Sequence, residues 1–251
     1  MLPAQPNQSL IDGLACLQTL ASSEAPIGSR EMARLLGLEI TRVNRLLKTL
    51  AALGLAEQDE RRKYRPGPAI HVLAAQSLFG SGLLRRAIGP MESLYTFGHV
   101  VALGVLWRDK TAYLFHGHPS HPASHGLGHE RLYPAASSGI GLILLAHRTE
   151  DEIRALYADP PVRLERSIPP EEVVPDLDGS NGLLARLARI RADGWALAPI
   201  PGSPNRTLAV GLGDQPDAGI GVSGRFGDHQ IDELLGALHD VADQIVQKEQ
   251  Q

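Results

Sequence analysis

Aromatic side chains make up only 4% of the 251 residues, so a core has to be built from Leu, Ala, Ile and Val. Cysteine is nearly absent. The lone Cys16 excludes an internal disulfide, and its setting in LACLQTL suits a small buried thiol better than a nucleophile. No apolar run approaches the ~20 residues of a membrane span, and the longest, in GIGLILLAH, is about half that length. The opening MLPAQPNQSL lacks a charged segment followed by an apolar one, so it does not read as a signal peptide. The expected setting is the reducing cytoplasm, away from any membrane. Two enzyme signatures are missing as well: G-x-S-x-G, which exposes a nucleophilic serine, and G-x-x-x-x-G-K-[ST], which cradles phosphate.

What is present divides by charge. Residues 1–70 carry nine Lys/Arg against seven Asp/Glu, whereas the remainder carries fifteen against twenty-one. A mildly basic head on an acidic body implies two separate tasks. In the head, Leu10, Leu14, Leu17 and Ala21 recur at helical steps, with Ser9 as the expected cap. A second helix is expected from Ser29, with Glu31 in its first turn and Gly37 ending it.

The third segment, EITRVNRLLKTLAALG, carries the chemistry. At 100° per residue Val43, Leu46, Leu47 and Leu50 share one face. Thr41, Asn44, Arg45 and Lys48 share the other, with Arg42 and Thr49 at its edges. Short polar groups and cations on the first turns of a helix suit base edges in a major groove, so Thr41, Arg42, Asn44, Arg45 and Lys48 are the expected base-reading set. LAEQDERRKYRPG then reads as a small hairpin whose tip holds Arg61, Arg62 and Lys63, placed for phosphate contacts. One such module makes too few base contacts for useful specificity, so a dimer on a palindromic duplex is expected.

The stretch from Ser29 to Leu73 resembles the winged helix-turn-helix of the IclR family of bacterial transcription regulators. The matching residues are Leu35–Leu36–Gly37–Leu38, Val43, Arg45–Leu46–Leu47, Thr49–Leu50 and Gly54. It departs from the family at Thr41–Arg42, where Ser-Thr is usual, and at Tyr64-Arg65-Pro66-Gly67, where the wing usually closes Y-x-L-G. The fold this implies is α+β. A winged domain (residues 1–67) is joined by a linker helix (68–81) to a GAF-like α/β domain (82–251) that binds a small-molecule effector. The resemblance also implies dimers through the first and connecting helices, often paired into tetramers, and no cofactor.

The body alternates expected helices with antiparallel hairpins, which argues against a doubly wound sheet. A turn is expected at Asp109–Lys110, a buried helix from SSGIGLILLAH, and a capping box at Thr149 and Glu152. The family closes its pocket with a loop and helix start that correspond here to Pro134–Gly141. Backbone N–H groups at that helix start, with the hydroxyls of Ser137 and Ser138 beside Gly139, are suited to an anionic group. An ordinary helix cap explains either serine equally well. Where the family carries acidic pocket residues this chain has Trp195, Ala196, Leu197, Ala198 and Pro199. Thr207 stands for a common cysteine, and Ser223 retains the usual hydroxyl. Loss of the carboxylates points to an aromatic or apolar effector rather than a small keto acid.

Five of the ten histidines fall within HGHPSHPASHGLGH, residues 116–129. His116 and His118 share one side if a strand extends that far. His121, His125 and His129 repeat every four residues, but Pro122, Gly126 and Gly128 oppose the helix that would align them. The spacing lacks H-E-x-x-H and similar zinc patterns, so no metal site is expected. A solvated loop and a pocket lining, with His125 and His129 as the lining residues, both remain open. The competing functional class is an enzyme or binding scaffold that does not act on DNA, for which the Thr41–Lys48 face would be idle.

Overall fold

The structure is a computed structural model and describes residues 5–127, 132–158, 175–200 and 202–247. Contacts divide it after Ser81 into two units. The first contains helix α1 (Gln8–Ala21), strand β1 (Ile27–Gly28), α2 (Ser29–Leu36), α3 (Ile40–Ala52), β2 (Ala56–Gln58), β3 (Lys63–Pro66) and α4 (Ala69–Ser81). Its sheet has the order β1-β3-β2, antiparallel throughout. Cys16, Leu20, Ile27, Met32, Val43, Leu47, Leu50 and Tyr64 form its core.

Helix α1 differs from its sequence pattern. Leu10 and Leu14 are 61% and 51% exposed, and the stripe turned inward is Asp12, Ala15, Cys16, Thr19 and Leu20. Two polar residues disguise that stripe, and each finds a partner: the Thr19 hydroxyl donates to the Ala15 carbonyl, and Asp12 pairs with Arg42. Asn7, not Ser9, caps the helix by accepting from the Leu10 N–H. Ser29 likewise lies inside α2, which Gly28 precedes without a side-chain cap. Gly37 ends α2 in the left-handed region as expected (φ 65°). Burial, followed by the nearby Asp12 charge, pushes the Cys16 thiol up to about 11. It stays protonated and inert at neutral pH. Helix α4 buries none of its residues, and Val72, Leu73 and Phe79 are more than half exposed.

The second unit is built on one antiparallel sheet. Its strands are β4 (Val100–Trp107), β5 (Lys110–Gly117), β6 (Leu132–Pro134), β7 (Trp195–Pro199), β8 (Arg206–Gly211) and β9 (Ala218–Gly224), ordered β6-β5-β4-β9-β8-β7. One face carries Val101, Leu103, Phe115, Leu208, Val210, Ile220 and Val222. These pack against α5 (Leu83–Glu92) and α9 (Ile231–Gln247). The opposite face is lined by small residues, among them Ala102, Ala196, Ala198, Ala209 and Gly219, and receives α6 (Gly139–Ala146). Small side chains let a helix approach closely: a Cβ at Gly219 would stand 3.2 Å from Ile140 Cγ2. All eight residues of α6 are buried. Helices α7 (Glu150–Ala158) and α8 (Leu183–Asp193) complete that layer. The capping box is present: Thr149 N–H donates to Glu152 Oε2 at 2.8 Å, and Glu152 N–H donates back to Thr149 Oγ1. Arg191 of α8 donates to the carbonyls of Ala146 and Arg148 at the far end of α6.

Strand β5 contains a bulge. Leu103 pairs with Phe115 and Gly104 with Tyr113, so Leu114 is an extra residue. The bulge breaks simple alternation and turns Phe115 to one face while Tyr113 stays on the other.

Candidate nucleic-acid interface and effector site

The 3.6-residue period of α3 separates two environments. Val43, Leu47 and Leu50 are buried, while Thr41, Arg45, Lys48 and Thr49 are exposed and Asn44 is half-buried. Among the described residues no ion pair holds the charged groups of Arg45 or Lys48. The Thr49 hydroxyl donates to the Arg45 carbonyl, a local bond that leaves the guanidinium outward. Arg42 is the exception to the expected set. Its Nε lies 2.6 Å from Asp12 Oδ2, so the side chain is turned toward α1.

The wing is a hairpin of β2 and β3. Asp59 organises its tip: its carboxylate accepts the Lys63 N–H at 2.8 Å, and its carbonyl accepts the Arg62 N–H at 3.0 Å. Arg61, Arg62 and Lys63 are exposed there, as expected. Arg65 is not part of this set, because it makes two hydrogen bonds to Glu57 directly across the hairpin. Arg62 has φ 60°, a left-handed conformation that costs a non-glycine residue about 1 kcal/mol. Arg62→Gly is expected to raise stability by up to ~1 kcal/mol and to flatten the salt dependence of duplex binding by about one unit for each DNA-bound subunit. Thermal denaturation and anisotropy titrations over a range of salt check both arms. A base-selective loss would show that the wing reads sequence.

In the second unit two hydroxyl pairs flank the start of α6. The Tyr113 and Ser138 hydroxyls lie 3.0 Å apart, and Ser138 Oγ also accepts the Gly141 N–H. The Thr207 and Ser223 hydroxyls lie 2.6 Å apart on β8 and β9. Gly139 joins the two groups, since a Cβ there would sit 2.8 Å from Thr207 Cγ2. The rings of Tyr133 and His116 stand 5.2 and 5.6 Å from that of Tyr113. Burial pushes the Tyr113 phenol above its ordinary value, against the opposing pull of the Ser138 bond.

Ser138, Gly139, Thr207 and Ser223 are thus brought together. Trp195 is not: alternation along β7 turns it to the α9 face with Leu197, while Ala196 and Ala198 face α6. Ser137 is exposed, and its hydroxyl donates to the Pro134 carbonyl. His125 is exposed as well. It lies in a file of rings with His121 and His118, whose neighbouring centroids are 6.1 and 5.7 Å apart. His129 lies outside the described residues. His116 and His118 part company, because β5 ends at Gly117 and His118 Nδ1 turns to the Ser120 hydroxyl. Among the described residues no group of three or more His, Cys, Asp or Glu is placed to hold a metal ion. No helix there is long and apolar enough to cross a membrane.

The family model for the IclR helix-turn-helix domain matches residues 9–60. The HTH-type transcriptional regulator BhcR of Paracoccus denitrificans (strain Pd 1222) is 30% identical over 230 residues, covering 84% of this chain and 77% of its own. The chain belongs to the IclR family of transcription regulators. The IclR-family fold extends over both units. The crystal structure of an IclR family transcriptional regulator from Brucella abortus aligns with a TM-score of 0.74 at 22% identity, over 97% of this chain and 93% of that one. An IclR homolog from Microbacterium hydrocarbonoxydans, solved in complex with 4-hydroxybenzoate, aligns at 0.68 and 18% identity, over 96% and 98% of the two chains.

The sequence pattern did not place Tyr113 or Tyr133 beside the start of α6, and His116 figured only within the histidine-rich stretch. The IclR-type pocket loop drew attention to residues 134–141, whereas these rings come from the strands beside it. The one available signal was the pair of tyrosines set at the two ends of the histidine-rich stretch.

Proposed function

We propose that this IclR-family regulator binds a palindromic operator as a dimer and responds to an aromatic or apolar acid in its second unit. The observation that carries the DNA reading is the polar and cationic face of α3, where Thr41, Arg45 and Lys48 are exposed and Asn44 is half-buried while Val43, Leu47 and Leu50 fill the core. Arg61, Arg62 and Lys63 on the wing supply phosphate contacts, which fix register without reading bases. Exposed leucines on α1 and the unburied α4 support dimerisation through these two helices.

The effector site we assign lies at the start of α6, between Tyr113–Ser138 and Thr207–Ser223. Rings and hydroxyls dominate it. The ligand class follows from that chemistry: an aromatic body buried against Tyr113, Tyr133 and His116, with a polar end at the hydroxyls. The 4-hydroxybenzoate carried by the Microbacterium homolog agrees with this class. A carboxylate there would meet backbone N–H groups of the helix start.

The test has two arms. Gel shift with the duplex upstream of the protein's own gene is expected to give a salt-sensitive, sequence-preferring complex. An enzyme or a scaffold gives none. Calorimetry is then expected to rank benzoates and hydroxybenzoates above pyruvate and glyoxylate. The reverse order would overturn the effector class while leaving the DNA reading intact.

A further inference from the structure

We propose that Arg42 is not a DNA contact but the cation of an internal lock, in which Asp12 neutralises it and ties α1 to the recognition helix. The inference rests on the DNA-binding reading of α3 and concerns how that helix is positioned.

Asp12 is the one acidic residue on the inward stripe of α1, and its side chain is only 3% exposed. Two groups compensate it. Gln8 Nε2 donates to Oδ1 at 2.8 Å from one turn earlier, and Arg42 Nε lies 2.6 Å from Oδ2. Among the described residues no aligned N–H reaches Oδ2, so that oxygen is held by the charge of Arg42 rather than by a directed hydrogen bond. A desolvated carboxylate without a cation is strongly unfavourable, and an adjacent guanidinium is what permits it here. The two helices meet at this point. A Cβ on Gly13 would stand 3.7 Å from Leu46 Cδ2, so a tight apolar contact lies beside the ion pair.

Position on the wheel places Arg42 at the edge of the cationic face, and its side chain is 40% exposed. Exposure alone would suit a phosphate contact. Charge argues the other way, because a cation already neutralised within the protein displaces no counterion from DNA. The recognition helix then meets the duplex with Arg45 and Lys48 as its working cations. Arg42 is a positioning residue: it fixes the rotation of α3 about its axis relative to α1. A movement of α1 is therefore passed to the base-reading face.

The experiment compares the full chain with Arg42→Ala, Arg42→Gln, Asp12→Asn and Arg62→Ala. Each is titrated against a 30-base-pair mixed-sequence duplex over a range of salt, with thermal denaturation alongside. Arg62→Ala is expected to lower the slope of log affinity against log salt by about 0.9 for each DNA-bound subunit, which shows that the assay counts phosphate contacts. Arg42→Ala is expected to leave the slope unchanged while lowering the melting midpoint. Asp12→Asn is expected to free the guanidinium, raising the slope by about 0.9 for each DNA-bound subunit and tightening binding to mixed-sequence DNA. Arg42→Gln keeps a donor beside Asp12 and serves if the alanine variant does not fold. Adding Asp12→Asn to it should restore much of the lost midpoint. A fall in slope for Arg42→Ala or Arg42→Gln equal to that for Arg62→Ala would overturn the lock, as would an unchanged slope for Asp12→Asn. A wild-type chain without salt-dependent binding would instead overturn the DNA reading itself, and the thermal coupling of positions 12 and 42 tells the two failures apart.

Discussion

Replacing Arg45 by alanine is expected to weaken operator binding by about 1–3 kcal/mol and to relax selection at one base pair of each half-site. The expectation follows from where the side chain lies and from what it does not do. Arg45 is on the solvent side of α3, two residues from the buried Val43 and Leu47, so its removal leaves the core of the unit intact. Its guanidinium has no ion-pair partner among the described residues, in contrast to Arg42 beside Asp12 and Arg65 beside Glu57. An arginine left in this state is available to take the paired acceptors of a guanine edge. Binding selections from randomised duplexes, run on both proteins, would show the change as a single blurred position. If all positions weakened equally, Arg45 would be a phosphate contact, and the helix would lie differently in the groove.

The second large effect concerns the second unit. Gly141→Ala is expected to destabilise it by about 3 kcal/mol and to abolish the ligand response. The space for a Cβ at this position is already filled by the Ala135 carbonyl and the Thr111 hydroxyl, and Ala135 Cα lies within 2.5 Å of it. None of these is the loose end of a flexible side chain. Ala135 is fixed by its N–H to the Asp109 carbonyl at 2.8 Å, and Thr111 lies in β5, paired with Tyr133 of β6. The 135–138 turn would have to move, and Ser138 would move with it, away from Tyr113. Gly236→Ala provides the contrast. That glycine is an exposed position inside α9, nothing among the described residues beyond its own helical turn lies within 4 Å of its Cβ position, and the substitution is expected to stabilise by about 0.5–1 kcal/mol. Thermal denaturation separates the two, and calorimetry with a hydroxybenzoate tests the response. A Gly141→Ala protein that melted and bound like the parent would show that α6 has slack at its start.

Helix α3 was legible from its residues because one strong period runs through it. Val43, Leu47 and Leu50 fall inside, and Thr41, Arg45 and Lys48 fall outside, with no polar residue on the wrong side. Helix α1 was harder to read for the opposite reason. Its buried stripe includes Asp12 and Thr19, and their compensation comes from Arg42 thirty residues away and from a backbone carbonyl. Hydropathy cannot see such partners. The buried helix α6 stood out as an unbroken apolar run, and with it the positions of Ser138 and Gly139. Trp195 misled because composition says nothing of which face a residue takes, and β7 resolves that by alternation. The aromatic wall was hidden by the extra Leu114. With strict alternation Tyr113 and Phe115 would share a side, but the bulge sends Phe115 to the other face and leaves Tyr113 and His116 in contact.

A helix with no wet side has few ways to accommodate a disturbance. Every residue of α6 is enclosed, and close-packed interiors neither compress nor leave room for fraying. Its opening turn is held by Ser138, and its last carbonyl is gripped by Arg191 of α8. A push of a fraction of an ångström at its start is therefore expected to reach the Arg191 contact at its far end, much as a piston delivers its stroke.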